Sequence, residues 1–355
     1  MIICRTPFRI SFFGGGTDYP AWYSDHGGAV LAATINRYCY INCRFLPPFF
    51  EYLSRIVWSK IEVVKTNEQI EHPVVSSVMR YLNVVEGIEI HHAGDLPARS
   101  GLGSSSAFTV GVLHALHALK GELVSKETLA QQAIHVERDL LHETVGVQDQ
   151  IQTAFGGLNR IDIAPNGLFQ VQPLPLTRLR VAQIENHLLM FYTGVVRNAS
   201  EIAAAQVRSI SDHTHELHEM RKLVDVAVDT LAGDNDMSEF GRLLHETWEL
   251  KRRLSNKIAP DFVNEIYSRA RRAGALGGKL LGAGGGGFML FIVPPELHVS
   301  VCTALSELLV VPIQFEWSGT QLIFYDPPSY SRTAHHRRDF KHYVVGNGHN
   351  RDSAD

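Results

Sequence analysis

Residues 279–293 read Lys279-Leu-Leu-Gly-Ala-Gly-Gly-Gly-Gly-Phe-Met-Leu-Phe-Ile-Val293, and the order of structure around them decides which fold they can belong to. Gly282, Gly284 and Gly287 stand at the G-x-G-x-x-G spacing of a dinucleotide-binding turn. Such a turn must follow a strand and open a helix, so that a pyrophosphate meets the free N–H groups of the helix N-terminus. Here the glycines run instead into Phe288-Met-Leu-Phe-Ile-Val293, a short, wholly apolar run of buried-strand type. Upstream, Pro260 fits the first turn of a helix, Phe262, Val263, Ile266, Ala270 and Ala273 recur at helical spacing, and Gly274 is a suitable C-terminal cap. Helix, glycines, strand is the reverse of the dinucleotide order. A Walker-type loop fails too, because Gly278-Lys279 would need Gly and Ser or Thr where the chain has Ala273 and Leu280.

Working outward, a chain of 355 residues exceeds the usual size of one core and predicts two domains. With 45% apolar and 20% charged residues and a formal net charge of -4, it is an ordinary globular composition without the footprint of a nucleic-acid or membrane partner. Cys4, Cys39, Cys43 and Cys302 lack zinc-site spacing and read as reduced thiols of a cytoplasmic protein. The apolar run before Arg5 is too short for a signal peptide, and no segment approaches the roughly 20 apolar residues of a membrane span. His215-Glu-Leu-His218-Glu219 places a Glu where a zinc-binding H-E-x-x-H needs its second His, so His213, His215 and His218 read as a solvated helical face.

Strand-like runs cover 9–13, 29–35 continuing through 40–43, and 88–91; helical patterns cover 105–119 and 126–143. Turn residues at 165–167 and at Pro173 and Pro175 mark a boundary. Beyond it come a strand at 187–192, helices at 200–231 and 239–256, the Pro260 helix, and strands at 288–293 and 321–325. The division expected is 1–175, 176–326 and a polar, basic tail at 327–355 that is too poor in apolar residues to pack.

Three further segments carry chemistry. Leu96-Pro-Ala-Arg-Ser-Gly-Leu-Gly-Ser-Ser-Ser-Ala107 leads straight into a helix, so the N–H groups and dipole of its first turn suit a phosphate. A capped helix would account for one Ser, but not for Gly101, Leu102, Gly103, Ser104, Ser105 and Ser106 together. After the N-cap Ser125, positions 130, 133, 134, 137, 140 and 141 form an apolar face interrupted only by Glu137. A carboxylate in such a stripe is paired, hydrogen-bonded or metal-bound, because burying it alone is costly. Asp149 stands among small and neutral residues in Gly146-Val-Gln-Asp-Gln150, and Arg9 is a cation inside a strand that ends in Gly14-Gly-Gly-Thr-Asp18. A salt bridge, a helix cap and an edge-strand arginine remain the plain alternatives for Glu137, Asp149 and Arg9.

Taken together, residues 5–19, 96–107 and 279–288 resemble, in order and spacing, the three motifs of the GHMP kinases, the superfamily of galactokinase, homoserine kinase, mevalonate kinase and phosphomevalonate kinase. Arg99 departs from the small residue many members have. The resemblance implies an α+β fold: an N-terminal ribosomal-protein-S5-domain-2-like domain, a C-terminal ferredoxin-like domain and ATP in the cleft between them. It implies that 101–106 wrap the ATP phosphates and that Glu137 binds Mg²⁺. Ser105 is the serine chosen as second ligand, with Ser104 and Ser106 also open. Asp149 matches the catalytic Asp and Arg9 the basic residue paired with it. Asp18, with Thr17, matches the sugar-binding segment of galactokinase, and the 282–287 loop, with Gly284 and Gly285, is expected beside the first glycine turn at the substrate end.

Loss of galactokinase's Glu-His pair before Thr17-Asp18 argues against galactose. Phe-Gly-Gly-Gly-Thr-Asp18, Pro97-Ala-Arg-Ser-Gly-Leu-Gly and Trp248-Glu-Leu-Lys251 are similar instead to the D-glycero-D-manno-heptose 7-phosphate kinases. That likeness implies transfer to an anomeric hydroxyl and a cationic site for the existing phosphate, with Arg197 the main candidate and Arg99 and Lys279 further ones. A fucokinase-type sugar 1-kinase is the nearest alternative; a silent sugar and ATP sensor is a more distant one. The expected protein works as a monomer or homodimer.

Overall fold

A computed structural model describes residues 1–47, 49–195, 199–233 and 236–326. The tail at 327–355 and the candidate Arg197 lie outside the described residues. The N-terminal half comprises β1 (Ile2–Phe13), α1 (Pro20–His26), β2 (Gly28–Phe45), β3 (Ser54–Val57), β4 (Ile61–Val64), α2 (Pro73–Tyr81) and β5 (Ile88–Gly94). It continues with α3 (Ser104–Leu119), α4 (Lys126–His135), α5 (Gln148–Phe155), β6 (Leu158–Ile163) and β7 (Phe169–Pro173). The C-terminal half holds α6 (Arg178–Asn186), β8 (Leu188–Tyr192), α7 (Ala199–Arg208), α8 (Thr214–Ala232), α9 (Met237–Arg253) and α10 (Asp261–Arg272). After these come β9 (Gly277–Leu280), β10 (Phe288–Ile292), α11 (His298–Ala304), β11 (Leu309–Val310) and β12 (Gln321–Tyr325).

The first sheet runs β12-β1-β2-β5-β3-β4, with β6 also on β2 and β7 beyond it. Helix α3 packs on β1 and β2, and α8 and α9 also touch β1. From Thr6 to Phe13 every residue of β1 is therefore buried, on both faces of the strand. That is why the run is continuously apolar apart from the few polar groups the site needs. The second sheet runs β11-β8-β10-β9 and is antiparallel throughout. Its connectivity, strand–helices–strand–strand–helix–strand with the first and third strands central, is the ferredoxin-like arrangement that the family resemblance implies.

Three sequence expectations need correction. The division at 176–326 does not hold at its end, because β12 pairs with β1 (Ile2 opposite Tyr325) and Phe315 bridges to Ile35; the chain returns to the first sheet. The single helix expected over 126–143 stops at His135. Val136–Leu140 is a π-helical turn, with Leu141 N–H bonded to the Val136 carbonyl at 2.9 Å. The extra residue in that turn breaks the i, i+4 stripe, so Leu140 is 40% exposed while Glu137 stays buried. Finally, the span 200–231 divides at Ile210–His213 into α7 and α8.

Aromatic packing joins the halves. Phe240 of α9 meets Phe12 and Phe13 of β1 edge-on, at ring separations of 5.5 and 5.3 Å. All three rings are buried, a wedge in the preferred T-shaped geometry.

Candidate active site

Arg9 comes from the doubly covered part of β1 and is 3% exposed. Its Nε and Nη2 donate to Oδ1 and Oδ2 of Asp149, each at 2.7 Å, and its Nη1 donates to the Gly101 carbonyl at 2.7 Å. This two-point fork fixes the carboxylate plane and ties it to the glycine stretch. Asp149 itself sits in the first turn of α5 and keeps a partly open face toward the cleft. The strand bonds the loop directly as well, Arg9 N–H to Leu102 O at 3.0 Å.

The loop enters α3 through Gly103, which holds the N-cap position at φ 70°. A Cβ there would lie 3.0 Å from the Arg9 side chain. Only glycine suits both the left-handed backbone and the close approach. Ser104 Oγ accepts from Arg99 N at 3.1 Å, and Ser105 is exposed on the first turn. The serine that meets Glu137 is Ser106, not the Ser105 chosen from sequence. Ser106 Oγ donates to Glu137 Oε2 at 2.9 Å, and Gln150 Nε2 donates to the same oxygen.

Glu137 is 1% exposed, and burial pushes its carboxyl up to about 7 against the hydrogen bonds that favour the anion. Its Oε1 has no hydrogen-bond partner among the described residues. An orphaned carboxylate oxygen beside a serine hydroxyl fits a Mg²⁺ site, since Mg²⁺ commonly takes one or two carboxylates and completes its shell with nucleotide phosphates and water. Among the described residues no group of three or more His, Cys, Asp or Glu could hold a metal unaided. The histidine run is no exception: exposed His218 packs edge-on to buried Trp22 and to exposed His26.

Arg9, Asp149, Gly101, Gly103, Ser104 and Ser105 line a cavity of about 900 Å³, while Glu137 and Ser106 lie behind its wall and do not line it. Asp18 lines it, 2% exposed, held by Gly16 N at 3.0 Å and by Gln148 Nε2 at 3.0 Å. Burial raises its pKa, and the charge of Asp149 adds to the shift. Thr17 does not line the cavity. Its hydroxyl bonds the Gly14 and Ala29 carbonyls, so it holds the turn that presents Asp18. Gly284 and Gly285 also face elsewhere: Gly284 packs on Ile258, and Gly285 N–H bonds the Ile258 carbonyl at 2.9 Å. The third glycine stretch meets the second rather than the first. A Cβ on Gly282 would come within 2.4 Å of Gly101 Cα, so backbones touch there across the two halves.

An aromatic set and Lys251 escaped the sequence reading as lining residues, whereas Lys279 is one of the cationic candidates named there. Trp58, His72, His92 and Phe108 form an aromatic cluster, with His72 stacked on Phe108 at 4.7 Å and His92 edge-on to it at 4.9 Å. Short β3, which ends just before Trp58, and α2, which His72 caps, have no long periodic pattern to betray them. Lys251 and Lys279 also line the cavity while nearly buried. Lys251 had a legible signal: Phe240, Leu244, Thr247 and Trp248 form the buried stripe of α9, and Lys251 falls on it, as Glu137 falls on the stripe of its own helix.

A glycine loop opening a helix, next to a carboxylate clamped by an arginine, is the equipment of an enzyme that moves a phosphoryl group. The comparisons agree: residues 63–157 match the GHMP kinases N terminal domain and residues 223–309 the GHMP kinases C terminal region. The chain belongs to the GHMP kinases, phosphotransferases with an alcohol group as acceptor and ATP as phosphate donor. It is 27% identical over 319 residues to the D-glycero-alpha-D-manno-heptose 7-phosphate kinase of Campylobacter jejuni, covering 85% of this chain and 92% of that protein. It is 29% identical to the L-fucokinase/L-fucose-1-P guanylyltransferase of Bacteroides fragilis, covering 85% of this chain but 36% of that protein. Among solved structures, a D-glycero-D-manno-heptose 1-phosphate kinase from Bacteroides thetaiotaomicron superposes with a TM-score of 0.76 at 26% identity, covering 93% of this chain and 100% of that one. No described helix is long and apolar enough to cross a membrane.

Proposed function

We propose that this kinase acts on a sugar, transferring the γ-phosphoryl group of ATP to the anomeric hydroxyl of D-glycero-D-manno-heptose 7-phosphate. The observation that carries the reading is the buried Asp18 sharing one cavity with the Arg9–Asp149 pair. In this reading Asp18 orients sugar hydroxyls and Asp149 accepts the proton of the hydroxyl that attacks. The likeness to two heptose kinases supports the heptose; their names differ in the phosphate position they give.

In this reading the N–H groups at the start of α3, with Gly101 and Gly103, cradle the phosphates. The aromatic cluster of Trp58, His72, His92 and Phe108 offers stacking faces for the base. Glu137 and Ser106 would hold Mg²⁺, which supplies charge neutralisation at the nucleotide phosphates. Asp149 takes the proton from the sugar hydroxyl as the new O–P bond forms and the bond from the γ-phosphorus to the bridging oxygen breaks, releasing ADP, and Arg9 holds Asp149 in line through both carboxylate oxygens. Arg9 also places positive charge where negative charge develops.

Coupled detection of ADP against free and phosphorylated hexoses and heptoses tests the assignment. Turnover is expected with heptose 7-phosphate. Turnover on free fucose or free heptose, with none on the 7-phosphate, would favour the fucokinase-type reading. No sugar-dependent ADP at all would refute both.

A further inference from the structure

Two lysines in the cavity wall have no carboxylate within ion-pair distance among the described residues. Lys251 on α9 is 4% exposed and Lys279 in β9 is 1% exposed. Lys251 Nζ donates to the carbonyls of Leu280 at 3.3 Å and Gly282 at 2.5 Å, and Lys279 Nζ donates to Phe12 O at 2.9 Å. An ammonium has three N–H donors. Among the described residues, therefore, each lysine retains donor capacity that no protein group uses, at positions that line the cavity.

The local charges do not balance. Arg9 is matched by Asp149; Asp18 acts on both ammonium groups, and Asp149 adds a smaller pull on Lys251 alone. Burial, then the neighbouring cations, lowers Lys251 to about 8 and Lys279 well below the ordinary lysine range. Holding like charges side by side in a buried wall on carbonyl partners alone is costly. An incoming dianion offsets that cost, and oxygens of a phosphoryl group accept from ammonium donors directly.

We propose that Lys251 and Lys279 form an anion seat beside Asp18 that receives a phosphoryl group. Resting on the kinase reading above, the group is either the ester the sugar already carries or the phosphoryl in transit from ATP. The seat joins the two halves, since Lys251 holds the third glycine stretch at Gly282 while Lys279 holds β1 at Phe12.

Lys251→Met and Lys279→Met keep the apolar stem and remove the charge; Lys251→Arg and Lys279→Arg retain charge. If the seat takes the ester, each Met variant raises KM for the 7-phosphate at least about tenfold and leaves free heptose and ATP within about twofold. If it takes the group in transit, kcat falls at least about tenfold on both acceptors with KM unchanged. In both cases Arg recovers part of the loss. Folded Met variants with unchanged kcat and KM on both acceptors would overturn the seat. Should a Met variant not fold, the wild-type protein still decides. With ADP bound, inorganic phosphate is expected to raise its melting temperature, and no rise overturns the seat. That melting test stays readable even if no sugar is turned over, which would count against the substrate assignment alone.

Discussion

Glu137 has one carboxylate oxygen held by Ser106 and Gln150 and the other without a partner among the described residues, deep in the N-terminal half. Its pKa rises from 4.5 to about 7 through burial. Between those values the native protein binds more protons than the unfolded chain. The stability this group lends is thus complete below its unfolded pKa and is lost as pH rises through its folded one. Metal-free wild type is therefore expected to lose stability relative to Glu137→Gln between about pH 5 and pH 8; parallel curves would contradict the raised pKa. For Asp149, Asp149→Asn is expected to lower kcat by about 10²–10⁴ while ADP affinity stays within about twofold. Unchanged kcat would remove it from the chemistry. The sequence exposed Arg9 and Glu137 because each is a charge where the local pattern demands an apolar residue. It could not choose among Ser104, Ser105 and Ser106, since successive helical residues point about 100° apart and the rotation of α3 is fixed by packing.

At the scale of elements, the turn before α5 positions both carboxylates of the cleft. Gly146 backs directly onto Asp18, and a Cβ there would sit 1.9 Å from Asp18 Oδ2. Gly146→Ala is expected to raise KM for the sugar at least about tenfold, about 1.4 kcal/mol, with KM for ATP unchanged. An unaltered sugar KM would show that Asp18 does not bind the acceptor. The long strands and helices were legible where periodicity was sustained, as in α3, α9 and α10. The π-helical turn at Val136–Leu140 was not, because Leu140 and Leu141 continue an apolar pattern that the backbone abandons. Four-residue β9 (Gly277–Leu280) is fully buried yet half glycine, which hides both the strand and the exceptional setting of Lys279.

Across the whole molecule, the cleft is kept in register by contacts far apart in sequence. β12 returns to β1, Gly101 abuts Gly282, and Phe240 wedges against Phe12 and Phe13. The return of β12 was invisible in sequence, since a strand's pattern does not name its partner. Phe240→Ala is expected to destabilise the protein by about 3–5 kcal/mol in denaturant unfolding, the usual cost of removing a buried phenyl ring. A loss below about 1 kcal/mol would mean the halves are joined elsewhere.

The most direct test of phosphoryl transfer to the sugar is the identity of the product. Wild-type protein, ATP, Mg²⁺ and D-glycero-D-manno-heptose 7-phosphate should yield ADP and an equimolar heptose 1,7-bisphosphate, with the new phosphorus on the anomeric oxygen by phosphorus NMR. ADP with inorganic phosphate and unchanged sugar, or no ADP at all, would contradict it.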